Sequence, residues 1–528
     1  MKSIESSLVL VVPLVAMVLS SVRWLRVAQR EHYVTPMTTR FAMRWWGLRD
    51  KPINSVAFVI AVLAAELTIR PEFSKLYKLG LVVILSLIVV VFPLGLGLKG
   101  RTSKLEWTKR LKRLAALSYL LAVVLGILGL ALNIAALAVS IAALCYPMLL
   151  DVATWMLAPY ENRSAKRFVQ AAAAKLAKVS PRVVAVTGSF GKTTTKGYIA
   201  ALCSQSMMTV ASPASYNNRA GLSRSINENL VASTELFVAE MGAYRLGEIA
   251  ALVDWIRPEI SVITAIGPVH LERFGSEEKI LSAKSEILTG AKVVVLCVDY
   301  PKLAFLANEL ETEGTRVWRC SDGDFRAEIC VKADEEGGLV VFRDQRKIGY
   351  LPSGELSAGN VACAVAVALE LGVAEEVLAK QLFELKPPPH RLTATVVDSS
   401  GLVVLDDTYN SNPTGARHAM MSLAKRRTPG VRTVVVTPGM VELGHRQFIE
   451  NFKLAEYAAE VASDLVIVGK TNKRALTKGA LDRSKSAGAI LKKVIDVATR
   501  DDAVRWVREN LKAGDVVLYE NDLPDHFP

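Results

Sequence analysis

The chain has 528 residues, with 64 Lys+Arg against 51 Asp+Glu, a net charge of +13, and a mean hydropathy of +0.29. Residues 1–158 hold 18 Lys+Arg against 7 Asp+Glu and so carry nearly all the basic excess, which excludes a phosphate-tracking stripe for nucleic acid. Six scattered cysteines with no Cys-x-x-Cys pair exclude a zinc ribbon and a disulfide framework.

At roughly 150 residues per domain, this length predicts three or four domains. The chain opens on apolar runs at about 6–22, 53–69, 79–98, 114–132 and 134–157. Several reach the roughly 17–25 residues that a helix needs to cross a bilayer, so residues 1–158 read as an α-helical transmembrane domain of about five spans. Residues 23–52 and 99–113 each carry seven basic residues and the loop at 70–78 only three, which puts the N-terminus outside and the C-terminal end inside. Trp24, Trp45, Trp46 and Trp107 lie in or near these flanks, as interfacial anchors do. The first run lacks a small-residue cleavage pattern and is read as retained. Glu66 reads either as a snorkelling residue near a span's end or as a functional carboxylate. The expected location is the plasma membrane, multi-pass, with the remaining domains cytoplasmic.

Residues 159–180 read as a polar linker running into an Ala-rich helix. An apolar strand then ends in Thr187-Gly188-Ser189-Phe190-Gly191-Lys192-Thr193-Thr194, and a helix-compatible stretch follows. Strand, glycine loop, Lys-Thr and helix form the arrangement that cradles a nucleotide triphosphate. Gly188 and Gly191 let backbone N–H groups turn toward phosphate, and the helix N-terminus adds partial positive charge. Lys192 is placed to reach the β/γ-phosphates and Thr193 to touch Mg2+, with Ser189 and Thr194 in the same cradle. Two residues separate the glycines here, against four in the general P-loop pattern.

From 181 to 388 strand-like runs (183–187, 236–240, 260–265, 292–298) alternate with helical ones (196–207, 244–254, 276–289), predicting an α/β domain with a mostly parallel sheet. A β-rich insert at 317–350 turns at Gly337-Gly338, and Lys386-Pro387-Pro388-Pro389 marks a domain boundary. Runs at 402–406, 432–437, 464–468, 493–497 and 515–519 make 389–528 a second, smaller Rossmann-like α/β domain.

Over about 182–528 a series of motifs follows in order. After the glycine loop come Tyr216-Asn217-Asn218-Arg219-Ala220-Gly221, Glu240-Met241-Gly242-Ala243, Gly267 to Ser276 and Ala283-Lys284-Ser285-Glu286-Ile287. Gly359-Asn360, His390-Arg391-Leu392, Asp406 to Pro413 and Gly439-Met440-Val441-Glu442-Leu443-Gly444 complete it. Together they resemble the Mur ligase superfamily, most closely its MurF type, which joins D-alanyl-D-alanine to a peptidoglycan precursor. The resemblance implies ATP-driven amide formation through an acyl phosphate, with ATP and two Mg2+ as cofactors. It implies Lys192, His270, Lys284 and Arg391 as catalytic residues and Thr193, Glu240 and His270 at the metals. Lys284 matches a lysine that MurF-type enzymes carbamylate, an ordinary surface lysine being the alternative. Asn360 matches the residue that holds adenine, or is a helix N-cap; Asp407 matches the ribose ligand, and Arg391 would bring a cation to the phosphates. Asn217 and Asn218 match a loop near the acceptor, with a plain turn as the rival. Asn410 and Asn412 assist the amine, or form an Asx turn before Pro413.

MurF-type enzymes begin with a domain that grips a UDP-sugar precursor, and the apolar first 158 residues leave no room for it. The expectation is therefore a membrane-anchored ligase whose partners are membrane lipid, a polyprenyl-linked acceptor and an amino-acid or dipeptide amine. A capsular poly-γ-glutamate ligase and an ATP-driven transport or scaffold protein stand as alternatives.

Overall fold

The computed structural model describes every residue except 1, 48–51, 98–103, 214–215, 353–355, 387–392, 398–399, 409–410, 524–526 and 528; side chains of 2–10, 75 and 393 are likewise outside the description. The chain forms two compact units, one from Met1–Ser164 with Leu523–Pro528, the other from Ala165–Asp522.

The first unit is helical. Among its described residues two helices, Val11–Arg30 and Lys109–Ala131, are long and apolar enough to cross a membrane, with a third span if Ala135–Leu144 and Tyr146–Val179, bent by 79°, count together. The apolar runs near 53–69 and 79–98 become the helices Pro52–Leu67 and Lys75–Val91, only 16 and 17 residues long. The unit also buries polar groups. Asn54 is fully buried, its amide oxygen accepting from Leu94 N at 2.9 Å, and Arg23 donates to the Phe92 and Val90 carbonyls at 2.7 and 2.6 Å. These bonds satisfy backbone groups, the Val90 and Phe92 carbonyls and the Leu94 N–H, left over where the helix ending at Val91 breaks before Pro93. The helix Tyr146–Val179 covers most of the segment expected as a linker running into a helix, with Pro159 inside.

The second unit holds two sheets. The larger comprises β1 (Arg182–Thr187), β2 (Thr209–Ala211), β3 (Leu236–Glu240), β4 (Ile260–Ile263), β5 (Val293–Cys297), β6 (Arg316–Asp322), β7 (Ile329–Ala333), β8 (Leu339–Arg343) and β9 (Arg346–Leu351), in the order β2-β3-β1-β4-β5-β6-β7-β8-β9. Pairing is parallel as far as β7 and antiparallel from β7 to β9, so the predicted insert extends the main sheet. Alternate residues of a strand face opposite sides, and β1 shows it. Val184 and Val186 enter the core with Ile199 and Val361, whereas Val183 and Ala185 enter the opposite core with Leu222 and Ile226. Burial on both faces is why the strand reads as a continuous apolar run.

The smaller sheet comprises β10 (Thr393–Val397), β11 (Leu402–Asp407), β12 (Thr433–Thr437), β13 (Asp464–Val468), β14 (Lys493–Val497) and β15 (Val516–Glu520), in the order β10-β11-β15-β12-β13-β14. All its pairs are parallel but the edge pair β10–β11. Its cores follow the same alternation, Val435 and Leu465 on one face, Val434 and Val466 on the other. All six cysteines are free.

Candidate active site

Chemistry-bearing residues gather at the carboxyl ends of the parallel strands, where open α/β sheets place their ligands. At the end of β1, Gly188 and Gly191 have φ of 150° and 82°, and Gly191 caps the helix Lys192–Cys203. A Cβ on Gly188 would land on the Thr264 hydroxyl, and one on Gly191 on the Asn360 amide. Glycine is thus required twice over, by conformation and by space. Lys192 Nζ donates to the Gly188 and Ser189 carbonyls at 2.8 and 3.2 Å. Ser189 Oγ bonds both the N–H and the carbonyl of Gly267 at 3.1 Å, tying the glycine loop to the segment that carries His270.

Glu240 ends β3, and its side chain is almost wholly buried. Its oxygens accept from Lys196 Nζ at 3.0 Å and from the Asn217 amide at 3.1 Å. Burial alone would raise its carboxyl, but Lys196 and Lys192 more than offset this and leave it below the usual range. Asn217 and Asn218 part company here. Asn217 reaches Glu240, while the side chain of Asn218 caps the helix Arg219–Asn229 by accepting from Gly221 N at 2.9 Å.

His270 has φ of 61° and precedes the short helix Leu271–Phe274. Its Nδ1 bonds Glu442 Oε2, and Arg273 Nη2 donates to the other oxygen of Glu442 at 2.8 Å. The Tyr244 ring meets the His270 ring edge-on at 5.1 Å, and the Arg273 guanidinium lies over Tyr244 at 4.4 Å. Burial pushes the His270 imidazole below its ordinary value, with Glu442 opposing. Burial would raise Glu442, yet His270 and Arg273 hold it far below the usual carboxylate range.

Lys284, in the helix Glu277–Ser285, is 3% exposed, so it is not a surface lysine. Burial, aided by the charge of Lys192, pulls its amine down to about 7. Lys192 also acts electrostatically on Glu240 and His270, which places all four groups in one neighbourhood.

Asn360 lies against Gly191 within the helix Ala358–Glu370, whose N-cap is Ser357, so the N-cap alternative fails. In the smaller sheet Asp407 stands at the carboxyl end of β11. Asn412 caps the helix Pro413–Lys425, its side chain accepting from Gly415 N at 2.9 Å. Arg391 and Asn410 lie outside the described residues. The sequence reading assigned no role to Lys196, Arg273 or Glu442; Arg273 and Glu442 fell within quoted motifs, but Glu442 lies 172 residues from His270 and 169 from Arg273.

The donor set suits a cation bound together with a nucleotide. The Thr193 hydroxyl, the Glu240 carboxylate and the His270 imidazole are oxygen and nitrogen ligands beside the glycine loop. Among the described residues no three His, Cys, Asp or Glu side chains form a self-contained metal cluster. Such a site takes part of its coordination from phosphate, as Mg2+ sites do.

Residues 186–368 match the Mur ligase middle domain, and 390–519 match the Mur ligase glutamate ligase domain. The chain is 31% identical to the UDP-N-acetylmuramoyl-tripeptide–D-alanyl-D-alanine ligase of Mycobacterium tuberculosis (strain CDC 1551 / Oshkosh), over 67% of this chain and 72% of that protein. To the Bacillus subtilis (strain 168) protein of the same name it is 31% identical, over 66% and 75%. The MurF ligase of Thermotoga maritima in complex with ADP superposes with a TM-score of 0.56 at 27% identity, covering 68% of this chain and 80% of that one. These names carry a UDP-linked acceptor. They overturn the expectation of a membrane-anchored ligase working on a lipid-linked acceptor, which rested on the composition of the first 158 residues and not on any group in the site.

Proposed function

Since the chain belongs to the Mur ligase family, and is an ATP-dependent, ADP-forming ligase that uses Mg2+, we propose that it joins a D-alanyl-D-alanine-type dipeptide to the terminal carboxylate of a UDP-linked muramoyl peptide. One observation carries the catalytic part of this reading. Lys192, Glu240, His270 and buried Lys284 share one electrostatic neighbourhood at the glycine loop. The substrates follow from the names of the relatives.

Each residue has a derivable task. The glycine loop and Lys192 hold the triphosphate, so that its γ-phosphorus meets the attacking carboxylate in line. Thr193, Glu240 and His270 would hold Mg2+, which when bound supplies positive charge against the charge that develops on phosphate. Lys284, with its amine brought to about 7, has a substantial unprotonated fraction at neutral pH, and that is the form able to take up CO2 as a carbamate. The carbamate would replace a buried cation by an anion beside His270 and Lys192. In this reading Asn217, bonded to Glu240, couples acceptor binding to the same carboxylate, and Asp407, at the end of β11, takes the ribose.

The test is phosphate release by the purified full chain with Mg-ATP, D-alanyl-D-alanine and UDP-N-acetylmuramoyl-tripeptide. Release that needs both substrates, with formation of the UDP-linked pentapeptide, is the expected result. Release with a different amine, or none with this acceptor, would overturn the substrate assignment and leave the reaction class standing.

A further inference from the structure

Glu442 lies in the smaller α/β half, in the loop after β12, and its carboxylate reaches into the larger half to bond His270 Nδ1 and Arg273 Nη2. The contact is not a lone ion pair. Glu272 N donates to the Glu442 carbonyl at 3.2 Å, and Arg446 Nη1 lies 2.6 Å from Glu277 Oε1. A Cβ on Gly444 would come within 3.3 Å of Glu272 N, so the two backbones meet with no side chain between them. The residues at the centre, His270 and Glu442, both hold left-handed backbone, with φ of 61° and 63°. Non-glycine residues adopt this conformation at a cost and keep it only where their surroundings fix it. Here each is fixed by the other.

An imidazole has two ring nitrogens. When one donates to a carboxylate, the other is left as a lone-pair donor of defined direction, and metal-binding histidines are commonly oriented in this way. We propose that Glu442 is the positioning residue for His270. It holds the ring as the Nδ1–H tautomer and presents Nε2 to the nucleotide-bound cation, and it does so only when the two α/β halves are together. The site would then lack a correctly aimed nitrogen until the smaller half has closed, which couples arrival of the amine-carrying half to readiness of the phosphate site. Arg273, held over the Tyr244 ring, keeps the second oxygen of Glu442 occupied and so fixes which oxygen meets the histidine. This inference rests on the ligase reading for the identity of the cation, but not for the tautomer.

The experiment compares wild type, Glu442→Ala and Glu442→Gln as full chains. With histidine labelled by 15N, two-bond spectra of the metal-free protein report the tautomer of each ring, and His270→Gln identifies the signal. The Nδ1–H form is expected for His270 in wild type and in Glu442→Gln, whose amide oxygen still accepts. The Nε2–H form common in water is expected in Glu442→Ala. Mn2+ titration in the presence of a non-hydrolysable ATP analogue should show one of two ions weakened about 10- to 100-fold in Glu442→Ala. Metal-free ADP affinity should be unchanged, which guards against a folding defect. An unaltered tautomer and unaltered Mn2+ affinity, with only a lowered melting temperature, would make Glu442 a mere clasp and overturn the proposal. If wild type bound no Mn2+ with the nucleotide, the ligase reading would fall, and the tautomer measurement would still decide the hold of Glu442 on the ring.

Discussion

Lys196 Nζ and Glu240 Oε2 lie 3.0 Å apart with their side chains 5% and 2% exposed, a charge pair sealed beneath the phosphate loop. Removing one partner of such a pair strands the other charge in a medium that solvates it poorly. Lys196→Met is therefore expected to cost about 3–5 kcal/mol of stability. Adding Glu240→Gln should recover much of the loss, because no charge is then stranded. Urea unfolding of the two variants checks this; equal stability of the single and double variants would show that the charge is not what matters.

Lys192 closes the glycine loop on itself through the Gly188 and Ser189 carbonyls. Those bonds are exchanged for phosphate oxygens when the nucleotide arrives, and that charge matters most as the γ-phosphoryl transfers. Lys192→Ala should lower the rate of phosphate release by about 100-fold or more, comparable to losing a preorganised donor at a reacting group. Initial rates at saturating ATP decide it, and a change confined to KM would contradict the assignment.

Lys284 can form a carbamate only as a neutral amine, and burial brings its pKa to about 7. Stripping CO2 from the buffer should lower activity by about 10- to 100-fold, the usual effect of losing an outer partner of a metal ligand. Bicarbonate should restore it, more fully at pH 8 than at pH 6. Lys284→Ala should be slow and indifferent to bicarbonate; a wild-type rate blind to CO2 would rule the carbamate out.

Glu520 is fully buried at the end of β15, where its oxygens meet the hydroxyls of Ser411 and Thr437 (2.7 Å to the latter). Burial, with the charge of Asp407 adding to it, raises its carboxyl to about 7. The folded chain thus holds a proton that the unfolded chain releases near 4.3. This contribution to stability is complete below the unfolded value and is lost as pH rises from about 4.3 to about 7. Glu520→Gln should flatten the decline in melting temperature across that window. A parallel decline in wild type and variant would show that another group titrates.

What the sequence made legible was whatever is written locally. Glycine spacing and the Lys-Thr pair marked the phosphate loop, and Glu240 stood out because it ends a short apolar run. Contacts set by tertiary approach left no local trace. His270 and Glu442 are 172 residues apart, and nothing in either segment specifies the other. The caps made by Asn412 and Asn218 were not legible either, because caps and ligands draw on the same amide chemistry; their bonds to Gly415 N and Gly221 N appear only in the fold. Hydropathy counts apolar residues but not helix ends: the run at 134–157 is broken at Cys145 into helices set at 79°. The strand Thr393–Val397 escaped notice because it follows a proline-rich stretch that reads as a break.

The polarity of the two sheets has a practical consequence. Most groups assigned a part in the reaction follow the carboxyl ends of strands, and none of those described lies in a turn entering an amino end. These turns include glycines with positive φ and open space around the missing side chain, among them Gly314 before β6, Gly430 before β12 and Gly514 before β15. They are natural ports for engineering. A short epitope, a fluorophore-accepting peptide or new chain termini grafted at Gly314 or Gly430 should leave turnover within about twofold, since exposed loop tips tolerate insertion. The same graft between Gly439 and Gly444 should silence the protein, and paired activity assays of the two sets would map which rim of the fold evolution has left open to change.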